Sequence, residues 1–162
     1  MTTTFDARKF VDDFVASNNS KNPEKLLAHY ADDAELSDPT MPRPMRGKDA
    51  IRANFEKWST AFSEITFTVR DLVQSGDKVA LYAEAKGRNT GELELGPGER
   101  IPPTNKMVTM PIAEFLTISP QGKITKDHTV FDSLGMMVQL GLAPGPQAAG
   151  KPTGSSKVTT SR

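Results

Sequence analysis

Apolar side chains recur at helical spacing in the first part of the chain. The first group predicts a helix with one apolar face from about Asp6 to Ser17. Its members are Phe10, Val11, Phe14 and Val15. A second, short helix is predicted to begin at Asn22 and to end near Tyr30, because the Asn-Pro-Glu sequence there supplies a capping amide and a proline for the first turn. A stripe spaced three or four residues apart predicts a third helix from about Lys48 to Ala61.

The pattern then changes to the period of two that is typical of strands with one buried face. Two alternating segments, around residues 65–69 and 79–85, are predicted to form a hairpin with a turn at residues 75–77. A loop from Thr90 to Thr104 leads to a strand from about Lys106 to Ile118, and the turn at residues 119–122 returns the chain as a final strand. This strand breaks at Asp132, which we interpret as the N-cap of a short helix.

Helices followed by antiparallel strands predict an α+β domain. We expect three N-terminal helices to pack on one curved, mainly antiparallel sheet, forming a cone with a cavity, and a short helix to follow at the C-terminal end. The domain is predicted to span residues 1–143. Residues 144–162 are rich in Pro, Gly, Ser and Thr, and we predict a disordered tail there because such a segment buries too little apolar surface to offset chain ordering.

Composition narrows the classes of function. Twenty basic and twenty acidic residues give no net charge, which disfavours nucleic acid and membrane surfaces as partners and favours a small neutral ligand. The chain has no cysteine and only two histidines, so no metal site is predicted. The N-terminus lacks the apolar run of a signal peptide, and we expect a cytoplasmic protein.

Three consecutive polar residues, Asp127, His128 and Thr129, lie in the middle of the last strand and suggest a pocket. A four-residue turn would place Glu114 opposite Asp127, with Thr129 on the same face. A three-residue turn with a left-handed glycine would place Glu114 opposite His128 instead. Either pair suits general acid/base chemistry beside a carbonyl group, so Glu114, Asp127 and His128 are the candidate catalytic residues. The alternatives are a solvent-facing position for each carboxylate and a structural hydrogen bond for His128.

Several segments, in order, resemble the SnoaL-like polyketide cyclases of the superfamily that shares the nuclear-transport-factor-2 and ketosteroid-isomerase fold. The similarity covers about residues 8–142. The segments are YADDAELSDPT (30–40), residues 47–51, SGDKVALYAEAKGRNTGEL (75–95), IPPTNK (101–106), GKI (122–124), Asp132 and the closing QLG (139–141). The resemblance implies an α+β cone, usually dimeric, and acid/base chemistry without a cofactor on a hydrophobic small molecule.

Carried over by position, the resemblance gives a modified catalytic set. The family's acid/base aspartate corresponds to Thr129, and its partner histidine corresponds to Glu114. Asp38 falls where members often carry an active-site amide or acid, and Asn89 replaces a frequent histidine. Asp38, Asn89 and Thr129 are therefore the candidate substrate-binding residues.

Three functions follow as hypotheses. The first is a cyclase or isomerase of a polyketide-like or terpenoid-like carbonyl compound. The second is a non-catalytic module that binds hydrophobic ligands, because Thr129 cannot act as the family's aspartate does. The third is an epoxide hydrolase of the limonene type, which requires an Asp-Arg-Asp set in which Asp38 and Arg88 are possible members. Fold analogy does not choose among them.

Overall fold

The computed structural model describes residues 5–146, and four helices in this range follow the predicted pattern closely. They are α1 (Ala7–Asn19), α2 (Pro23–Leu27), α3 (Lys48–Ala61) and α4 (Ser133–Gln139). Asp6 caps α1 by accepting a 3.0 Å hydrogen bond from the amide of Lys9, and Asp132 caps α4 through the amide of Gly135 at 2.7 Å. Helix α2 ends three residues before Tyr30, so it is shorter than the spacing predicted.

Eight strands follow or interleave with the helices. They are β1 (Tyr30–Ser37), β2 (Met45–Arg46), β3 (Thr66–Ser75), β4 (Lys78–Arg88), β5 (Leu93–Gly96), β6 (Glu99–Ile101), β7 (Met107–Ile118) and β8 (Ile124–Phe131). Six of them form one sheet in the order β2-β1-β8-β7-β4-β3. Its pairs are antiparallel except for β1 and β8, which run parallel. Strand β1 therefore brings the start of the YADDAELSDPT segment beside the last strand.

The sheet is curved and carries the helices on its inner face. Irregular pairing in β3 after Val69 and in the β7–β8 hairpin adds local bending. Alternate positions of β4 and β7 are buried, and they form two apolar clusters, one with α1, α2 and the start of α3 and one with the end of α3 and α4. The predicted α+β cone, with three N-terminal helices on a mainly antiparallel sheet and a short C-terminal helix, is confirmed.

The final hairpin corrects both predicted partners of Glu114. The turn is the three-residue kind, with Gly122 in the left-handed region at φ 72°. A bulge next to the turn then inserts Thr125 as an extra residue, since Ile118 pairs with Ile124 but Thr117 pairs with Lys126. Glu114 consequently lies opposite Thr129, rather than opposite Asp127 or His128.

Part of the chain was wrongly predicted as loop. Strand β1 was not predicted, and the segment from Thr90 to Thr104 contains the small hairpin of β5 and β6. Most of the predicted tail, residues 147–162, lies outside the described residues, so its disorder stays a prediction. Within residues 5–146, no helix has the length and apolar character needed to cross a membrane.

Candidate active site

A cavity of about 130 Å³ lies between the inner face of the sheet and helices α1 and α3. Its apolar wall includes six aromatic side chains, and its polar groups lie on α1, α3, β1, β7, β8 and the segment after β1. The lining residues used below are Tyr30, Asp38, Trp58, Glu114, Asp127 and Thr129. A site of this size accommodates a ring-sized ligand or one end of a longer molecule, since a dry engineered cavity of about 150 Å³ binds benzene.

Asp127 is held at both carboxyl oxygens. Tyr30, at the start of β1, donates a 2.6 Å hydrogen bond to Oδ2, and Thr129, two residues further along β8, donates a 3.2 Å hydrogen bond to Oδ1. The contact with Tyr30 spans 97 residues of sequence and depends on the parallel pairing of β1 with β8. Asp127 is only 4% exposed and Tyr30 only 2%. The carboxyl group is therefore oriented by two hydroxyl groups inside the cavity.

Glu114 lies on β7 in the row next to Asp127 on the inner face. Its neighbours across the strands are Leu81 and Thr129, and Leu116 lies opposite Asp127. The two acidic residues are thus diagonal neighbours, roughly 7–8 Å apart along the sheet. Glu114 is half-buried, but its Oε2 atom is fully buried and has no hydrogen-bond partner within the described part of the chain. An unpartnered carboxyl oxygen facing a cavity is available to a ligand.

The surroundings raise the pKa of both acids, but for different combinations of reasons. Burial, followed by the negative charge of Asp127, raises the pKa of Glu114 well above its ordinary value. Burial also raises the pKa of Asp127, to about 6, but there the hydrogen bonds from Tyr30 and Thr129 oppose the increase. Glu114 therefore favours its neutral form more strongly than Asp127 does, and Asp127 is the more readily ionised of the two acids. The pKa of Tyr30 is raised well above 10 by burial and by these two acids, so its hydroxyl keeps its proton.

A neutral acid beside an ionised carboxylate is the pairing that general acid/base chemistry requires. Asp127 can accept a proton, and the free Oε2 of Glu114 can carry one. None of the lining residues is Lys, Arg or His, so the cavity has no basic side chain to offset the charge of a phosphate or carboxylate group. Within residues 5–146, no group of three or more His, Cys, Asp or Glu side chains is arranged to hold a metal ion.

The comparison with protein families decides the identity of the scaffold. The profile of the SnoaL-like polyketide cyclases matches residues 5–140, which is most of the chain. The chain belongs to the SnoaL-like polyketide cyclase family. No curated protein sequence matches it significantly.

Solved structures related to this SnoaL-like protein carry several activities on one fold. IdmH, a putative polyketide cyclase from Streptomyces antibioticus, is 25% identical, with a TM-score of 0.69 over 83% of this chain and 97% of IdmH. AclR, a putative hydroxylase from Streptomyces galilaeus, is 20% identical, with a TM-score of 0.72 over 85% of this chain and 86% of its own. SalBIII, an epoxide hydrolase/cyclase-like enzyme of pyran ring formation in the polyether salinomycin, is 20% identical, with a TM-score of 0.68 over 83% and 97%. These similarities establish the fold and leave the reaction to the site.

Two of the residues predicted for the SnoaL-like site lie elsewhere. His128 points to the outer face of the sheet, where it is exposed and its Nδ1 lies 2.7 Å from Oγ of Ser37. Asn89 is fully buried but does not line the cavity. Its amide donates to the carbonyls of Ala61 and Gly91, and its oxygen accepts from Thr104, so the side chain ties the long loop to the end of α3. A catalytic role for His128 and a substrate-binding role for Asn89 are therefore not supported, because neither side chain reaches the cavity.

Asp38, another candidate substrate-binding residue, does line the cavity and is 8% exposed. Its Oδ1 also accepts hydrogen bonds from the amide and the hydroxyl of Thr40, at 2.7 and 2.6 Å, so it stabilises its own turn as well. Arg88, the candidate arginine of an epoxide hydrolase set, is exposed and donates to the carbonyl of Asn105 at 2.7 Å. It does not line the cavity, so the Asp-Arg-Asp set is not assembled here.

Sequence reasoning missed Tyr30, and it did not single out Trp58 and Phe55, which pack against the core and line the cavity. Tyr30 could have been singled out as the first residue of the YADDAELSDPT segment. Its role depends on the parallel pairing of β1 and β8, for which the local sequence carries no signal.

Proposed function

We propose that the protein is a cofactor-independent acid/base enzyme, a cyclase or isomerase of a hydrophobic, polyketide-like or terpenoid-like carbonyl compound. Asp127 removes a proton from the carbon next to the carbonyl group. Glu114, in its neutral form, donates a hydrogen bond or its proton to the carbonyl oxygen. The resulting enol then reacts at carbon, either by taking the proton from Asp127 at a different carbon, which shifts the double bond, or by attacking a second carbonyl group, whose oxygen takes the proton from Asp127. In both cases the enol oxygen returns its proton to Glu114 and becomes a carbonyl oxygen again.

The observation that carries this proposal is the unpartnered, buried Oε2 of Glu114 beside an Asp127 carboxylate with both oxygens held. The raised pKa of Glu114 favours a proton on this carboxyl group, and the hydrogen bonds from Tyr30 and Thr129 orient Asp127. Membership in the SnoaL-like polyketide cyclase family supports a cyclase-type role for this pair. The apolar, aromatic wall supports a hydrophobic substrate.

The proposal is tested by proton exchange at the carbon next to a carbonyl group. Cyclohexanone and 2-tetralone in deuterated buffer are incubated with the protein, and loss of the α-proton signal is followed by nuclear magnetic resonance. The wild-type protein should accelerate exchange above the buffer rate, and the double variant Asp127→Asn/Glu114→Gln should not. Saturable binding of these ketones without accelerated exchange would favour the non-catalytic ligand-binding module.

Anionic ligands should bind more weakly than neutral ligands of the same shape. The cavity contains the Asp127 carboxylate and no basic side chain, so another carboxylate entering it meets like charge and loses its hydration. At pH 8 we expect benzoate to bind at least about tenfold more weakly than benzamide, which corresponds to about 1.4 kcal/mol. Isothermal titration calorimetry of the two compounds measures this, and equal affinities would contradict the charge argument.

We also propose that the outer face of the sheet forms a homodimer. Four large apolar side chains are exposed there in two neighbouring rows across β3, β4, β7 and β8, and we name them the outer apolar patch. They are Val73, Tyr82, Phe115 and Val130, which are 42–63% exposed. Contiguous exposed apolar surface of this kind marks interaction sites, and a two-fold dimer buries the same patch on both subunits.

A charge in the middle of the outer apolar patch should separate the subunits. We expect the wild-type protein to elute as a dimer and Phe115→Lys as a folded monomer in size-exclusion chromatography with light scattering. Gln121→Lys, in the exposed β7–β8 turn, adds the same charge away from the patch and should remain dimeric. A monomeric wild-type protein at micromolar concentration would contradict the proposed homodimer.

A further inference from the structure

The two hydroxyl groups on Asp127 do not act equally. Tyr30 binds Oδ2 at 2.6 Å, the length of a strong hydrogen bond to an ionised oxygen, whereas Thr129 binds Oδ1 at 3.2 Å, near the long limit. Tyr30 is itself fixed, since it is buried, begins β1, and packs its ring against Phe14 with the ring centroids 6.0 Å apart. The stronger hydrogen bond therefore comes from the more rigid donor.

This asymmetry distinguishes the two oxygens of the base. A strong hydrogen bond withdraws charge from Oδ2 and makes it the poorer proton acceptor. The weakly held Oδ1 retains more charge and lies on the side of Thr129, which lines the cavity opposite Glu114. Building on the acid/base function proposed above, we propose that Tyr30 is a positioning residue, which anchors Asp127 through Oδ2 so that Oδ1 faces the substrate as the proton acceptor.

Other titratable groups near Asp127 also affect the ionisation of this pair, and the effect of Tyr30 has to be compared with theirs. The charge of Asp127 raises the pKa of Glu114 on β7, while Asp38 after β1 raises the pKa of Asp127 and His128 on the outer face of β8 lowers it. Burial is the largest influence and favours the protonated form, and the hydrogen bond from Tyr30 is the largest influence that opposes it. Without Tyr30, Asp127 should hold its proton to higher pH and be unavailable as a base near neutrality.

The variant Tyr30→Phe tests this role, because it removes one hydroxyl and keeps the buried ring. The rate at which the α-protons of 2-tetralone exchange with deuterated buffer is measured as a function of pH. Asp127 must be deprotonated to act, so the rate should fall on the acidic side, and in the variant this fall should occur at higher pH. We expect a rate at pH 6 that is about tenfold or more below the wild type, and a rate at pH 9 within about threefold of it.

Two further variants separate positioning from general damage. Thr129→Val removes the longer hydrogen bond and should move the acidic fall less than Tyr30→Phe does. Thr68→Val removes a hydroxyl group at an exposed position of β3, away from the cavity, and should leave the pH profile unchanged. Equal loss of rate at every pH in Tyr30→Phe, with an unmoved acidic fall, would overturn the proposal even if melting curves show a folded protein.

A direct titration of Asp127 tests the role of Tyr30 without depending on catalysis. If the wild-type protein does not accelerate exchange of the ketone α-protons, the proposed acid/base function is wrong. The role of Tyr30 can still be measured in protein whose aspartate side-chain carboxyl groups are labelled with carbon-13. The Asp127 signal, assigned with Asp127→Asn, should titrate at higher pH in Tyr30→Phe than in the wild type. The same midpoint in both proteins would refute the role of Tyr30 on its own.

Discussion

Replacing Asp127 with asparagine should lower the rate of α-proton exchange by about 10²- to 10⁴-fold, the usual contribution of a positioned general base. Asparagine keeps the shape and can still accept the hydrogen bond from Tyr30, so the cavity should be preserved. What is lost is the ability to take a proton. Ligand affinity, measured by calorimetry with benzamide, should change little, so that the loss appears in the turnover rate rather than in binding.

The matched control for this loss is Asp33→Asn. Asp33 lies on β1 as Asp127 lies on β8, but its side chain is exposed. The control removes one negative charge from the protein without touching the cavity, and its exchange rate should equal that of the wild type. Wild-type rates in Asp127→Asn would remove Asp127 from the mechanism and leave the exchange without its proposed base.

Replacing Glu114 with methionine should stabilise the folded protein and lower its catalytic activity. Methionine has a similar shape and removes the buried Oε2 that has no partner, so the free energy of unfolding at pH 8 should rise by about 1–3 kcal/mol. The same change removes the proton donor, and α-proton exchange should fall. Stability, measured by urea denaturation, should therefore rise while activity falls, as expected when a destabilising group is kept for function.

The stabilisation should depend on pH in a defined direction. The pKa of Glu114 is raised in the folded protein, so the folded state binds more protons than the unfolded state once the pH exceeds the ordinary value of 4.5. Wild-type stability arising from this group is complete below that pH and is lost as the pH rises towards the folded-state pKa. The advantage of Glu114→Met should thus grow from pH 4 to pH 8, whereas Glu64→Met, at an exposed position, should stay within about 0.5 kcal/mol of wild type throughout. A stability gain that is flat with pH would mean that the ionisation of Glu114 is not its cause.

Much of the fold follows from local pattern. The bounds of α3 and the positions of β3, β4, β7 and β8 follow from apolar periodicity and turn residues, because each of these elements buries one face. Strand β1 does not follow, since four of its eight residues, in the sequence YADDAELS, are polar and its partner β8 lies some 90 residues away. The β5–β6 hairpin is equally hidden in a loop rich in glycine and proline.

The candidate site was predictable only in part. Glu114, Asp127 and Thr129 share the inner face, as one of the two predicted registers required, but a bulge at Thr125 sets their actual pairing. Such a bulge costs little locally and has no clear residue signature. Asn89 was misassigned because a buried amide that satisfies loop carbonyls looks, in sequence, the same as one that binds a ligand. Tyr30 was missed because its contact with Asp127 is set entirely by tertiary structure.

The central claim is that one carboxyl group of the cavity is protonated at neutral pH while its neighbour is ionised. The most direct test is a pH titration of the wild-type protein with carbon-13 at the side-chain carboxyl groups of glutamate and aspartate. The signals are assigned with Glu114→Gln and Asp127→Asn. We predict that Asp127 titrates near pH 6 and that Glu114 remains protonated at pH 7. Titration of both groups near pH 4, as in exposed carboxylates, would contradict the account.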